Sequence, residues 1–264
     1  MSAVAEIADR LRQAELTAVA VPPVRGEIAG DDVATAYAIQ EHRTAAGLRA
    51  SRRLVGRKIG LTAKSVQRQL GVDQPDYGTL FADMEVADGD EIPAGLLIAP
   101  RVEAEMAFLL GRDLDVPEPT MADVLRAVDA VLPAIEVVDS RIAAWDIRIT
   151  DTIADNASSG VFVVGTTGTP LDAVNPVDVT MTMRRRDQVV SQGTGRACLG
   201  DPLNALAWLA ATAVGIGSPL RAGDLVLSGA LGPMVTIGPG DVLIADISPL
   251  GTVTARFTQR EGQQ

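Results

Sequence analysis

The ten residues Arg101-Val-Glu-Ala-Glu-Met-Ala-Phe-Leu-Leu110 alternate in character position by position. A period of two predicts a β-strand, with Val102, Ala104, Met106, Phe108 and Leu110 on one face and Arg101, Glu103, Glu105 and Ala107 on the other. The apolar face demands a core. The other face sets the Cβ atoms of Glu103 and Glu105 roughly 7 Å apart. Two like charges on a half-buried strand are costly unless something positive binds between them. A hard divalent cation such as Mg²⁺ or Mn²⁺ prefers such oxygen ligands. Glu136 is the only charge in Ala130-Val-Leu-Pro-Ala-Ile-Glu-Val-Val138. That run reads as a buried strand, in which an ionised Glu requires a charge partner or a metal. Two readings stand side by side: three carboxylates gathered on one cation, or a solvated Glu-x-Glu face with Glu136 a buried ion-pair partner, for instance of an arginine.

The composition sets the scale. At 264 residues and 47% hydrophobic, the chain can bury a sizeable core. Aromatic residues make up only 3%, so that core is built from Ala, Val, Leu and Ile. A net charge of −11 argues against a general binder of nucleic acid or anionic membrane, which needs a basic surface. The single cysteine, Cys198, excludes an intrachain disulfide and a cysteine-based zinc site. The opening segment is amphipathic, not an apolar leader. No run approaches the ~18 apolar residues of a membrane span. The expectation is a soluble, cytoplasmic protein.

Val4, Ile7, Ala8 and Leu11 recur at helical spacing and predict a first amphipathic helix. Asp31 and Asp32 favour the start of a second, running to about Leu48. A strand over Arg53–Leu61 and a short helix near Ala63–Leu70 follow. From about residue 72, short apolar or alternating runs recur near 80–86, 95–110, 131–139, 160–165, 177–192, 224–229, 241–247 and 250–258, punctuated by Gly, Pro and Asp. Helices are expected over about Met121–Ala130 and Leu203–Val214, the latter capped by Asp201-Pro202 and apolar nearly all round. The class is α+β: a mainly helical N-terminal part, residues 1–71, on a strand-rich core, residues 72–264.

Six stretches in order carry a resemblance: Gly56-Arg-Lys-Ile-Gly-Leu-Thr62, Gly71-Val-Asp-Gln-Pro-Asp-Tyr-Gly78, Pro100-Arg-Val-Glu-Ala-Glu105, Ala134-Ile-Glu-Val-Val-Asp139, Asp155-Asn-Ala-Ser-Ser-Gly160 and Ser228-Gly-Ala-Leu-Gly-Pro-Met234. The chain thus resembles the 2-hydroxypenta-2,4-dienoate hydratases of the fumarylacetoacetate hydrolase superfamily over nearly its whole length. The resemblance implies a mixed β-roll core and a divalent metal, Mg²⁺ or Mn²⁺, on Glu103, Glu105 and Glu136. It implies a small 2-oxo or 2-hydroxydienoic acid substrate, and a homo-oligomer of five or ten subunits. Association with a pathway decarboxylase or aldolase is a further implication. Lys58 and Asp76 match active-site positions, and Leu61, Ser158 and Ser159 are candidates for contact with the substrate. Lys58 lies on one strand face with Gly56 and Gly60, which leave room for a ligand. An ammonium there is expected to have a lowered pKa.

The implied reaction ketonises the dienol and then adds water at C4. A 4-oxalocrotonate-type decarboxylase on the same scaffold is the rival enzyme, and a structural partner of a decarboxylase or aldolase is the non-catalytic rival. A Ser-His-Asp triad is disfavoured because His42 is the one histidine and Ser158 and Ser159 lack the nucleophile-elbow setting. Gly193-Thr-Gly195 does not match a dinucleotide fingerprint.

Overall fold

The computed structural model describes residues 2–28, 32–63, 67 and 74–259. Two helices open the chain, α1 (Ala3–Thr17) and α2 (Val33–Arg49). Their N-termini are closed by side chains. Ser2 accepts from the Ala5 amide, and Asp32 accepts from those of Ala34 and Thr35. The buried face of α1 is Ile7, Ala8, Leu11 and Ala14, the stripe the sequence spacing predicts. No helix among the described residues is long and apolar enough to cross a membrane.

Thirteen strands are described: β1 (Leu54–Gly60), β2 (Asp76–Phe81), β3 (Glu85–Val86), β4 (Glu91–Ile92), β5 (Arg101–Leu110), β6 (Val128–Val138), β7 (Ser159–Val164), β8 (Thr180–Arg185), β9 (Gln188–Thr194), β10 (Leu225–Leu227), β11 (Val235–Thr236), β12 (Val242–Ser248) and β13 (Gly251–Phe257). Three more helices are α3 (Met121–Ala127), α4 (Ile149–Ala154) and α5 (Pro202–Gly215). The larger sheet runs β2-β1-β10-β5-β6-β7-β3, with β11 on the end of β5; the smaller runs β4-β13-β12-β8-β9. The larger is mixed, because β1 is parallel to β10 but antiparallel to β2. The main core lies where both sheets and α5 meet, among Met106, Phe108, Ile135, Leu206, Leu209, Leu243 and Val253. This is the α+β, rolled mixed-sheet architecture expected.

Several boundaries differ from the sequence reading. The helix expected to Ala130 stops at Ala127, because Val128 turns extended and begins β6. The run at 177–192 is a hairpin, β8 and β9, turned at Arg186-Asp187. The short helix near 63–70 falls largely outside the described residues. Helix α5 buries one side, Leu203, Leu206, Leu209, Ala210 and Ala213, and leaves Trp208 and Val214 half-buried. Strand β1, which the sequence reading put in the N-terminal part, sits between β2 and β10 in the large sheet. The helices α1 and α2 pack with α4 around Leu11, Ile39 and Ile153.

No periodicity announces α4, whose sequence Ile-Thr-Asp-Thr-Ile-Ala is rich in β-branched residues. Tertiary bonds hold it instead. Asp151 accepts from the amides of Val24, Arg25 and Arg148. Asp155, just past its end, accepts from Arg141 Nε at 2.6 Å and Arg43 at 3.1 Å, while Arg141 also donates to the carbonyls of Ser159 and Asp155. Arg141 is buried, so removing its side chain leaves the buried Asp155 carboxylate with Arg43 as its remaining charge partner. Arg141→Met is expected to lower the unfolding free energy by about 3 kcal/mol, read from urea denaturation; a loss under ~1 kcal/mol would deny this network a structural role.

Candidate active site

Glu103 and Glu105 stand on β5 and Glu136 on β6, and the strand register sets Glu103 directly opposite Glu136. One carboxylate oxygen from each residue lies within 4.8 Å of the others. Lys58 reaches the group from β1, its Nζ 3.1 Å from Glu136 Oε1. Asp76 opens β2 opposite Gly60. Its carboxylate lies so close over that glycine that a Cβ there would sit 2.1 Å from Asp76 Oδ1. Gly60 is therefore a spacing requirement. Lys58, Asp76, Glu105 and Glu136 are buried, and Glu103 is part-exposed, which marks the side on which the cluster opens.

Behind Asp76 stand two hydroxyls. Thr152 Oγ1, on α4, lies 3.5 Å from Asp76 Oδ2 and 3.4 Å from Ser158 Oγ. Glu105 Oε2 accepts the Gly229 amide at 2.8 Å. Neither Thr152 nor the Gly229 N–H was legible as a site group. The first lies on the unforeseen helix; the second is backbone, signalled only by the Ser228-Gly229 motif.

The electrostatics follow from four carboxylates around one ammonium. Burial raises every carboxyl of the cluster. Glu103 is pushed up to about 7 by burial and then by the charge of Glu136. Burial raises Asp76 to about 6, against the opposing pull of Lys58. Glu105 is raised well above the ordinary range, by burial and by Glu136 and Glu103. Glu136 is raised by burial and restrained by Lys58. For Lys58, burial pulls downward, yet Glu136, Asp76, Glu103 and Glu105 outweigh it and the pKa rises. Without a metal, carboxylates crowd the ammonium and hold its proton; the lowering expected from sequence is that of a lysine beside a bound cation.

Among the described residues Glu105 Oε1 and Glu136 Oε2 have no hydrogen-bond donor, and Glu136 Oε1 faces the Lys58 ammonium at 3.1 Å. Carboxylate oxygens converging from three residues, with donor-free oxygens on Glu105 and Glu136, could hold a hard divalent cation. The site fits one. The alternative of a solvated Glu-x-Glu face fails for Glu105, which is fully buried, whereas Glu136 does have a buried ion-pair partner, Lys58.

The other candidates fall to different places. Ser158 joins the hydroxyl chain behind Asp76. Ser159 donates to the Asn156 carbonyl at 2.9 Å and lines a separate cavity of about 520 Å³ between α1, α2 and residues 95–97. Leu61, in left-handed backbone, packs against the helical cluster, and its carbonyl accepts from Gln67. Neither Ser159 nor Leu61 is brought against the carboxylates in this structure.

The family model described as fumarylacetoacetate (FAA) hydrolase C-terminal matches residues 42–258. The chain belongs to the fumarylacetoacetate hydrolase family. Among curated relatives it is 55% identical over 257 residues to the TodF product hydratase of Pseudomonas putida, covering 97% of this chain and 96% of that one. It is 53% identical to 2-keto-4-pentenoate hydratase 1 of Dechloromonas aromatica, with 94% of each chain covered. A solved structure of 4-oxalocrotonate decarboxylase from Pseudomonas putida G7, complexed with magnesium and adipate, superposes with a TM-score of 0.93 at 32% identity, covering 96% of this chain and 97% of the other.

Two expectations follow from the crowded carboxylates. In EDTA-stripped protein, Glu103 carries a folded-state pKa above its ordinary 4.5, at about 7. Below 4.5 it is protonated folded or unfolded, so it imposes no penalty there; stability is lost as pH rises through the interval and levels off above it. Thermal melts across that range, compared with Glu103→Gln, should show the loss in the parent protein and a smaller one in the variant. Glu105→Gln should raise the melting temperature of stripped protein above pH 7 while weakening divalent-cation binding at least about tenfold. Unchanged cation affinity by calorimetry would remove Glu105 from the metal site.

Proposed function

We propose that this hydro-lyase adds water to 2-hydroxypenta-2,4-dienoate (2-oxopent-4-enoate in its keto form), giving 4-hydroxy-2-oxopentanoate in aromatic catabolism. The observation that carries the reading is a buried three-carboxylate group with Lys58 and Asp76 beside it, in a chain about half identical, end to end, to named hydratases of this substrate class. The substrate is a small organic acid, and the metal is Mg²⁺ or Mn²⁺ on Glu103, Glu105 and Glu136. The magnesium in the decarboxylase of the same fold supports the first of these. Such a cation stabilises negative charge developing on the substrate's 2-oxygen.

Lys58 stands beside the carboxylates with its Nζ 3.1 Å from Glu136 Oε1, placed to meet a substrate oxygen. It serves as a fixed donor to that oxygen. Asp76, which burial raises to about 6 in the metal-free site, is the carboxylate placed to exchange a proton. In this reading Asp76 takes the 2-hydroxyl proton and returns it to C5, leaving a carbon–carbon double bond between C3 and C4 conjugated with the 2-oxo group. It then draws a proton from water as the hydroxyl adds to C4, and that proton ends on C3. One water is gained and nothing else leaves. Thr152, and Ser158 through it, keep the Asp76 carboxylate turned inward.

The decarboxylase reading shares the scaffold at 32% identity, well below the hydratases, and would need a second cation for the distal carboxylate. Homo-oligomerisation and contact with a pathway decarboxylase or aldolase belong to the same reading; exposed Leu16 and Leu96, on one cavity, are apolar surface a neighbour would cover.

Loss of the dienoate's ultraviolet absorbance, with mass spectrometry of the product, tests the assignment. The expected result is metal-dependent decay with gain of one water, abolished by EDTA. Asp76→Asn and Lys58→Met should each lower kcat by about 100-fold or more. Carbon dioxide released from 4-oxalocrotonate, with the dienoate untouched, would transfer the assignment to the decarboxylase.

A further inference from the structure

Strand β2 carries Asp76 and, among the described residues, has β1 as its one strand neighbour in the large sheet; on its open side Gln40 Nε2 donates to the Tyr77 carbonyl at 2.8 Å. A free edge of this kind leaves backbone groups unpaired. On it, Asn156 takes the place of a missing strand. Its Oδ1 accepts the Thr79 N–H at 2.7 Å and its Nδ2 donates to the Thr79 carbonyl at 2.9 Å. One side-chain amide thus satisfies both main-chain groups of a residue three positions from Asp76. The contact is close on the backbone side as well. A Cβ on Gly78 would lie 2.5 Å from both the Asn156 carbonyl oxygen and Ser159 Oγ, so only glycine lets the turn sit against the strand.

The turn itself is strained. Asn156, Ala157 and Ser158 have φ of 57°, 49° and 54°, three successive non-glycine residues in the left-handed region. Asn tolerates that region; Ala and Ser gain nothing there on their own. Surrounding bonds impose it: the Ser158 N–H donates to the Asp155 carbonyl, the Asp139 N–H to the Ser158 carbonyl, and the Asp155 carboxylate is gripped by Arg141 and Arg43. The result delivers Ser158 Oγ to Thr152 Oγ1 and Thr152 to Asp76 Oδ2. One strained turn therefore touches Asp76 by two routes, through the strand that bears it and through the hydroxyls behind it.

We infer that Asn156 is a positioning residue for Asp76: its amide clamps the free edge of β2 and sets the carboxylate at its place over Gly60. The inference rests on the catalytic reading of Asp76 and reaches the reacting atoms only through that residue.

The test is a double-mutant cycle on the Mg²⁺-loaded full chain, with the dienoate as substrate. Asn156→Gly keeps the left-handed backbone easy and removes the amide; Asn156→Asp keeps an acceptor for the Thr79 N–H and loses the donor. Asn156→Gly is expected to lower kcat about tenfold or more, with KM and Mg²⁺ affinity within about twofold, and Asn156→Asp to fall between it and the parent. In an Asp76→Asn background the same replacements should change the residual kcat by less than about twofold. An equal fold-loss in both backgrounds, or a lower melting temperature with kcat intact, would overturn the inference by making Asn156 merely structural. If Asn156→Gly does not fold, Asn156→Asp decides by the same criteria. A slow Asp76→Asn with a fully active Asn156→Gly defeats this inference alone, whereas a fully active Asp76→Asn defeats the reading of Asp76 and this inference with it.

Discussion

Glu103 and Glu136 face one another across two antiparallel strands, with Glu105 one step along and a lysine 3.1 Å from Glu136. Like charges at that separation, out of bulk water, repel strongly and lose hydration. The strands cannot move apart to relieve this, because β5 and β6 are hydrogen-bonded along ten residue pairs and their opposite faces are locked into the main core through Met106, Phe108 and Ile135. The tension is met chemically instead: carboxyls hold protons to unusually high pH, the ammonium is retained, and a divalent cation is favoured wherever it can enter. A site of this kind stores a demand for positive charge, and the rest of the fold is what keeps the demand from being relaxed.

The support is arranged behind the site. Arg141 and Arg43 neutralise Asp155, Asp151 ties α4 to the segment at Val24 and Arg25, and Asp139 accepts the amides of Ile98 and Ala99. Each of these aspartates is buried and each is consumed by bonds to a neighbouring segment. The contrast with the cluster is chemical. Where carboxylates serve the structure, donors surround them; in the cluster Glu105 Oε1 and Glu136 Oε2 have none among the described residues, and Glu136 Oε1 has only the Lys58 ammonium. That difference, more than acidity alone, separates a group that could hold a cation from a structural ion pair.

Much of this was legible in the chain. The alternation of residues 101–110 requires a strand, and the face it assigns to Glu103 and Glu105 is the face they occupy. Asp32 and Asp201 start the helices their positions imply. Other features were not, for reasons of mechanism. Helix α4 has poor local propensity and exists through long-range bonds to Asp151 and Asp155, so no local pattern announces it. Thr152 was lost with it. Ser158 and Ser159 look equivalent in sequence, yet left-handed backbone over 156–158 turns one toward Asp76 and the other back onto the Asn156 carbonyl.

By itself the sequence determined the class of fold, the strand that bears the paired glutamates and the oxygen-rich chemistry of the site, because periodicity and residue type are local properties that survive any arrangement of the chain. Tertiary structure decided which carboxylates converge, how Lys58 titrates and which serine faces inward. Those depend on register between strands distant in sequence, on the depth to which each charge is buried, and on backbone angles held by contacts more than seventy residues away, such as Asn156 on Thr79. A pKa and a ligand distance are properties of a neighbourhood, and only folding creates one.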